Sequence, residues 1–128
     1  MNKTKNIISL SPEERYEYFI REVVRLGFVW GLSTSDSWIR FIDKDKDMIF
    51  PVWPHLEVAN QCAFEEFNEY SWKAESIALD KFLEYCIPDM ENDNVLFGVF
   101  YDTERTGLAI TPQKIKTDIS FEMDAASL

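Results

Sequence analysis

The run Asp43-Lys44-Asp45-Lys46-Asp47 sets carboxylates at alternate positions, as the opening of a calcium-binding EF-hand loop does. The pattern then fails. Met48 stands at the sixth position, where the sharp turn needs glycine, and Pro54 at the twelfth, where a bidentate glutamate is required. The interleaved lysines fit a solvated hairpin turn instead. His55 is the only histidine, and Cys62 follows seven residues later, on the same face of a helix. A base and a thiol nucleophile are thereby placed in register. Two helical turns separate them by about 10 Å, too far for direct proton transfer. His55 therefore reads as a residue near a helix start and Cys62 as a small core residue. One histidine and two cysteines also fall short of the four ligands of a structural zinc site. No metal and no cofactor is expected.

Glu65, Glu66 and Glu69, and Asp89, Glu91 and Asp93, offer paired carboxylates for acid/base work. In a chain with 23 acidic residues, such clusters read first as solvated helix ends and second as a partner surface. No glycine-rich phosphate loop, nucleophile elbow or dinucleotide fingerprint occurs in the sequence. The aromatic residues point elsewhere. Trp30, Trp38, Trp53 and Trp72, with Phe64, Phe67, Tyr70 and Tyr101, exceed what a few buried strands need, although most must be core. Trp53 between prolines and Trp72 in a polar loop are the first of these to consider for exposure, although packing in the structure is the leading reading for both, and tryptophan ringed by acids is the composition of an interaction hot spot. The expected partner-binding residues are Trp53, Glu65, Glu66, Glu69, Tyr70 and Trp72.

The elements that must hold these residues follow from patterning. Ser11-Pro12-Glu13-Glu14 is a capping box with proline in the first turn. The helix it opens carries Tyr16, Phe19, Ile20 and Val23 on one face and stops at Gly27. Phe28 to Leu32, Trp38 to Ile42 and Met48 to Phe50 read as three short strands joined by tight polar turns, an antiparallel meander closed by Pro51 and Pro54. A helix is expected over His55 to Phe67, then a loop around Asn68 to Glu75. Ser76 to Asp80 leads into a helix with Leu79, Phe82, Leu83, Cys86, Ile87 and Met90 at core spacing. Val95 to Tyr101 reads as a central strand covered on both faces. A turn over Asp102 to Gly107, a strand over Leu108 to Ile110 and a helix opened by Thr111-Pro112 complete the chain. The fold class is α+β, one antiparallel sheet of about five strands with amphipathic helices packed on it. Residues 11–121 form one domain, and 1–10 and 122–128 are expected to be flexible termini.

With 128 residues, 46% of them hydrophobic, the chain can bury one core. Its 13 basic against 23 acidic residues give a net charge of −10, which repels nucleic-acid phosphates. No apolar run reaches the roughly 20 residues of a membrane span. Two cysteines within apolar helical patterns and no signal peptide imply a reduced, cytoplasmic setting.

Arg15, Tyr16, Phe19 and Val23, Trp30-Gly31-Leu32, Trp38 after a polar turn, Pro51-Val52-Trp53-Pro54, Ala59, Phe82-Leu83 and Val99-Phe100 together resemble the bacterial domain of unknown function family 2750, over residues 11 to 120. The resemblance implies a small bacterial α+β protein and carries over no catalytic residue. The layout is also similar to that of small immunity proteins that neutralise polymorphic toxins. The expected function is a non-enzymatic protein-binding domain, most concretely an immunity-type inhibitor that covers a basic toxin with an acidic and aromatic surface. The alternatives are a small enzyme whose carboxylate site the fold assembles with His55, and a structural subunit that self-associates into a homo-oligomer.

Overall fold

The computed structural model of the chain describes residues 3–64, 67–68 and 70–127. A short helix α1 (Lys3–Ile8), with Ile7 buried, precedes α2 (Pro12–Leu26). The caps of α2 are those its sequence expects. Ser11 Oγ accepts from the Glu14 N–H and Glu14 Oε1 accepts from the Ser11 N–H, both at 3.1 Å, and Gly27 adopts the left-handed φ of 83° that ends the helix. Its buried face carries Tyr16, Phe19, Ile20 and Val23, the spacing that one apolar stripe requires.

The strands form two sheets where one antiparallel sheet of about five strands was expected. β1 (Phe28–Ser33) pairs antiparallel with β4 (Lys73–Ala78). A four-stranded sheet has the order β2 (Phe41–Ile42), β3 (Met48–Val52), β5 (Leu96–Val99), β6 (Leu108–Ile110), with β3 and β5 parallel and the outer pairs antiparallel. Only the β2–β3 hairpin of the expected meander forms; β1 touches the following segment through one bridge, Ser33 to Trp38. The parallel pair is sterically open because the chain between β3 and β5 is long enough for a crossover. A second bridge joins the sheets, Trp30 and Trp53 exchanging both backbone hydrogen bonds at 2.9 and 2.8 Å.

Pro51 does not close β3 but lies inside it. β2 is only two residues long and its pairing with β3 reaches no further toward residue 51 than Phe41 opposite Ile49, so the side of β3 toward which residue 51 would donate has no partner strand there. After β5, Phe100 takes a φ of 55°, uncommon for a bulky residue. The turn is fixed by its N–H bond to the Val52 carbonyl at 2.9 Å and by complete burial of its ring.

α3 runs from Leu56 to Cys62, shorter than expected, and Phe64 and Phe67 beyond it are buried against Phe41. The expected long helix after Ala78 is present but interrupted. α4 (Leu79–Lys81) and α5 (Ile87–Asn92) flank a π-helical turn over Phe82–Cys86, in which the Ile87 N–H reaches back to the Phe82 carbonyl. Pro88 explains the wider turn, since its ring would meet the Glu84 carbonyl of a regular helix and it has no N–H to donate. α6 (Pro112–Ala126), capped by Thr111, closes the fold with Ile115 and Ile119 buried. Helix thus extends into both segments placed outside the domain on sequence, at Lys3–Ile8 and through Ala126. Among the described residues, no helix is long and apolar enough to cross a membrane.

Candidate functional site

Trp53 is a core residue and not the partner contact it was expected to offer. It is fully buried, and its indole Nε1 donates to the Tyr101 carbonyl at 2.9 Å. The flanking prolines set the path of the chain rather than lifting the ring to the surface. Glu65, Glu66 and Glu69 lie outside the described residues. Tyr70 is 55% exposed, and Trp72 is half-buried with its Nε1 3.4 Å from Asn68 Oδ1.

Tyr70 and Trp72 stand against the loop that follows β1. Tyr70 lines a cleft of about 540 Å³ with Thr34, Asp36, Trp38 and Arg40, and Trp72 lines a neighbouring one of about 490 Å³ with Ser33, Ser35 and Glu75. The loop is held from within: Thr34 N–H donates to the Ser37 carbonyl at 2.7 Å, and Ser33 Oγ donates to Glu75 Oε1 at the same distance.

On the other side of Trp38 and Arg40 lies a larger cleft of about 760 Å³, between the β2–β3 hairpin and the π-interrupted helix. Buried Phe50 and Met90 and half-buried Trp38 and Ile77 supply its apolar wall. Exposed Tyr85 and Asp89 stand on the helical side. Arg40 and Asp93 pair across it at 3.6 Å, and the Lys81 ammonium sits 5.2 Å from the centroid of the Tyr85 ring. Trp38 packs over Gly31, where a Cβ would meet its ring at 3.2 Å, a contact tight enough to need the ring to shift by a few tenths of an ångström. Burial, reinforced by Asp89, pushes the Cys86 thiol up to about 12, so it is protonated at neutral pH and no nucleophile.

Sequence reasoning missed this cleft. Trp38 and Arg40 read as strand residues, and Tyr85 falls off the apolar stripe of its helix. The one available signal was Pro88 inside an otherwise regular helical run, since proline there forces a local change of helical winding.

His55 is engaged elsewhere. Its Nε2 lies 2.8 Å from Glu22 Oε1, while Arg25 donates to both Glu22 oxygens at 2.7 and 2.8 Å. The Arg25 hydrogen bonds outweigh the cost of burial and, with His55, hold the Glu22 carboxyl at about 2. Tyr18 packs edge-on against the imidazole, and its phenol is pushed up to about 12, first by burial and then by the Glu22 charge. The cluster locks α2 to the first turn of α3. Cys62, at the other end of α3, is buried, and burial raises its thiol to about 12. Neither thiol is therefore an available thiolate.

Arg15 makes a second internal tie. Almost fully buried, it donates to the Ile8 and Thr106 carbonyls at 2.8 and 2.7 Å, stands 3.5 Å from Asp102, and lies over the Phe100 ring. The Asp43 turn is a hairpin connection, and its carboxylate is spent on its own backbone: Oδ1 accepts from the Asp45 and Asp47 N–H groups at 3.0 and 2.9 Å. The Asp102 turn repeats this, Oδ1 accepting from Glu104 and Thr106 at 2.9 Å each. In both turns the fourth residue, Lys46 or Arg105, has a left-handed φ, 65° and 63°. Among the described residues, no three His, Cys, Asp or Glu side chains converge as a metal site.

An α+β fold of two sheets, with Trp38 and Arg40 lining two of its surface clefts, is what these residues build. The family described as "Protein of unknown function (DUF2750)" matches residues 16–119, and the chain belongs to that family. No curated protein and no solved structure matches it.

Proposed function

We propose that this protein works by binding another protein, through an acidic and aromatic surface where the loop after β1 meets the segment carrying Tyr70 and Trp72. The observation that carries the reading is the position of Tyr70: a large aromatic ring left 55% exposed beside Trp72, at clefts that also hold Asp36 and Glu75. Exposed aromatics supply contact area at low entropic cost, and a net charge of −10 steers a cationic partner toward them. Glu65, Glu66 and Glu69, adjacent in sequence, add to that field.

The concrete form of this reading is an immunity-type inhibitor in the bacterial cytoplasm that covers the basic surface of a toxin. Its test is co-expression with the protein encoded by the adjacent reading frame, followed by co-purification and a growth assay. The expected result is a complex that weakens with added salt and is lost on Tyr70→Ala with Trp72→Ala. Failure of that protein, and of a panel of cationic bacterial nucleases, to form a complex overturns the reading.

A further inference from the structure

α1 is a helix that its own sequence does not sustain. Six residues are too few for a free-standing helix, and none in its first turn is acidic to favour the positive end of the helix dipole. The body of the protein holds it instead. It packs on α3, Ile7 is 6% exposed within the main core, and the Ile8 carbonyl at its C-terminal end accepts from Arg15 Nη1 at 2.8 Å. Arg15 is itself incompletely satisfied. Its Nη2 donates to the Thr106 carbonyl at 2.7 Å and Asp102 stands 3.5 Å away, but its Nε is buried without a hydrogen-bond partner among the described residues. A buried donor with no acceptor counts against the closed arrangement, and an opening that admits water satisfies it. Cys62 lies at the same place. It is 1% exposed, it ends the helix on which α1 packs, and its thiol feels the charges of both Asp102 and Arg15. Burial is the strongest influence holding that thiol protonated, and it is the one that an opening removes.

We infer that α1 is a detachable strap, clasped by Ile7 and the Arg15 guanidinium, and that its release exposes the buried Cys62 thiol to solvent while the rest of the fold stays closed. Closed, the thiol is inert. Open, it stands in water beside a guanidinium, the setting in which a cysteine reacts. The strap therefore gates a modification site, and it does so whether or not the protein binds a partner through Tyr70 and Trp72.

The test is the reaction of Cys62 with N-ethylmaleimide in Cys86→Ala protein, where it is the one remaining thiol, followed by mass spectrometry across a urea series. The sulfur adds to one carbon of the maleimide double bond and the thiol proton is replaced by one taken up at the other carbon. The labelling rate is expected to be flat at low urea, because a local opening exposes little surface, and to climb only where global unfolding takes over. Ile7→Ala should raise the flat rate by about tenfold or more. Arg15→Lys keeps the charge but loses the planar fork that serves two carbonyls, and should raise it by a smaller factor. A rate that climbs steeply from the lowest urea means that Cys62 is reached only through global unfolding, and overturns the inference. An unchanged flat rate in Ile7→Ala, or in a folded Arg15→Lys, overturns it as well. Should Arg15→Lys fail to fold, the Ile7→Ala comparison decides the matter by itself.

Discussion

Glu22 and His55 meet at 2.8 Å between α2 and the start of α3, with Arg25 bonded to both oxygens of the same carboxylate. A carboxyl held at about 2, against an ordinary 4.5, adds stability that is fully present above pH 4.5 and lost as pH falls toward 2. Because the Arg25 side chain is largely exposed, screening limits the contribution to about 1 kcal/mol or less. Urea denaturation of the wild type and Glu22→Gln should show that gap at neutral pH and its closure between pH 4.5 and 2. A gap independent of pH would mean that Glu22 acts through packing alone.

The twin turns at Asp43 and Asp102 predict opposite outcomes for the same substitution. Glycine relieves the left-handed strain at either position but adds freedom to the unfolded chain. Lys46→Gly should therefore stabilise by a few tenths to about 1 kcal/mol. Arg105→Gly should be neutral or destabilising, because its guanidinium lies 4.7 Å from the Phe64 centroid and 5.8 Å from that of Phe41. Thermal melts of the two variants decide it.

Trp53 and Tyr70 should separate stability from binding. Trp53→Phe removes buried volume and leaves the Tyr101 carbonyl without its indole donor, at an expected cost of about 1–3 kcal/mol. Tyr70→Ala should change stability by less than about 0.5 kcal/mol. A large loss for Tyr70→Ala in chemical denaturation would place that ring in the structure rather than at an interface.

Gly31→Ala tests the support of the larger cleft. The added methyl would press on Trp38 from 3.2 Å, and the ring is already packed 5.9 Å from Phe50. The expected cost is about 1–2 kcal/mol with a perturbed Trp38 indole resonance. An unchanged resonance would show that the ring has room to yield.

Much of the helical fold was legible because its signals are local. Ser11, Glu14 and Gly27 cap α2 within a few residues of one another, and the stripe Leu79, Phe82, Ile87 and Met90 marks a helix even though it is π-wound in the middle. The sheet was less legible because its pairings are not local. β4 reads Lys-Ala-Glu-Ser-Ile-Ala, with Ile77 its one large apolar residue, so neither alternation nor propensity marks it as the partner of β1. The parallel match of Phe50 with Phe97 joins segments far apart in the chain. Of the expected partner surface, Tyr70 is exposed and Trp72 half-buried, while Trp53 is interior: a tryptophan between prolines carries no information about which side of the chain the core lies on. The cleft beside Trp38 needed both the hairpin and the π turn in place before it existed.

The Trp30–Trp53 bridge has a kinetic consequence. The β1–β4 ribbon closes a chain loop from Phe28 to Ala78, and that loop contains β2, β3 and α3. No residue of β4 is buried, whereas β3 and β5 lie almost wholly in the core, so the ribbon is held by fewer buried contacts and is expected to be the first cooperative unit of the sheets to open. Its amides should exchange with solvent as a group ahead of those of β3 and β5, with the paired tryptophans as the seam along which the molecule parts.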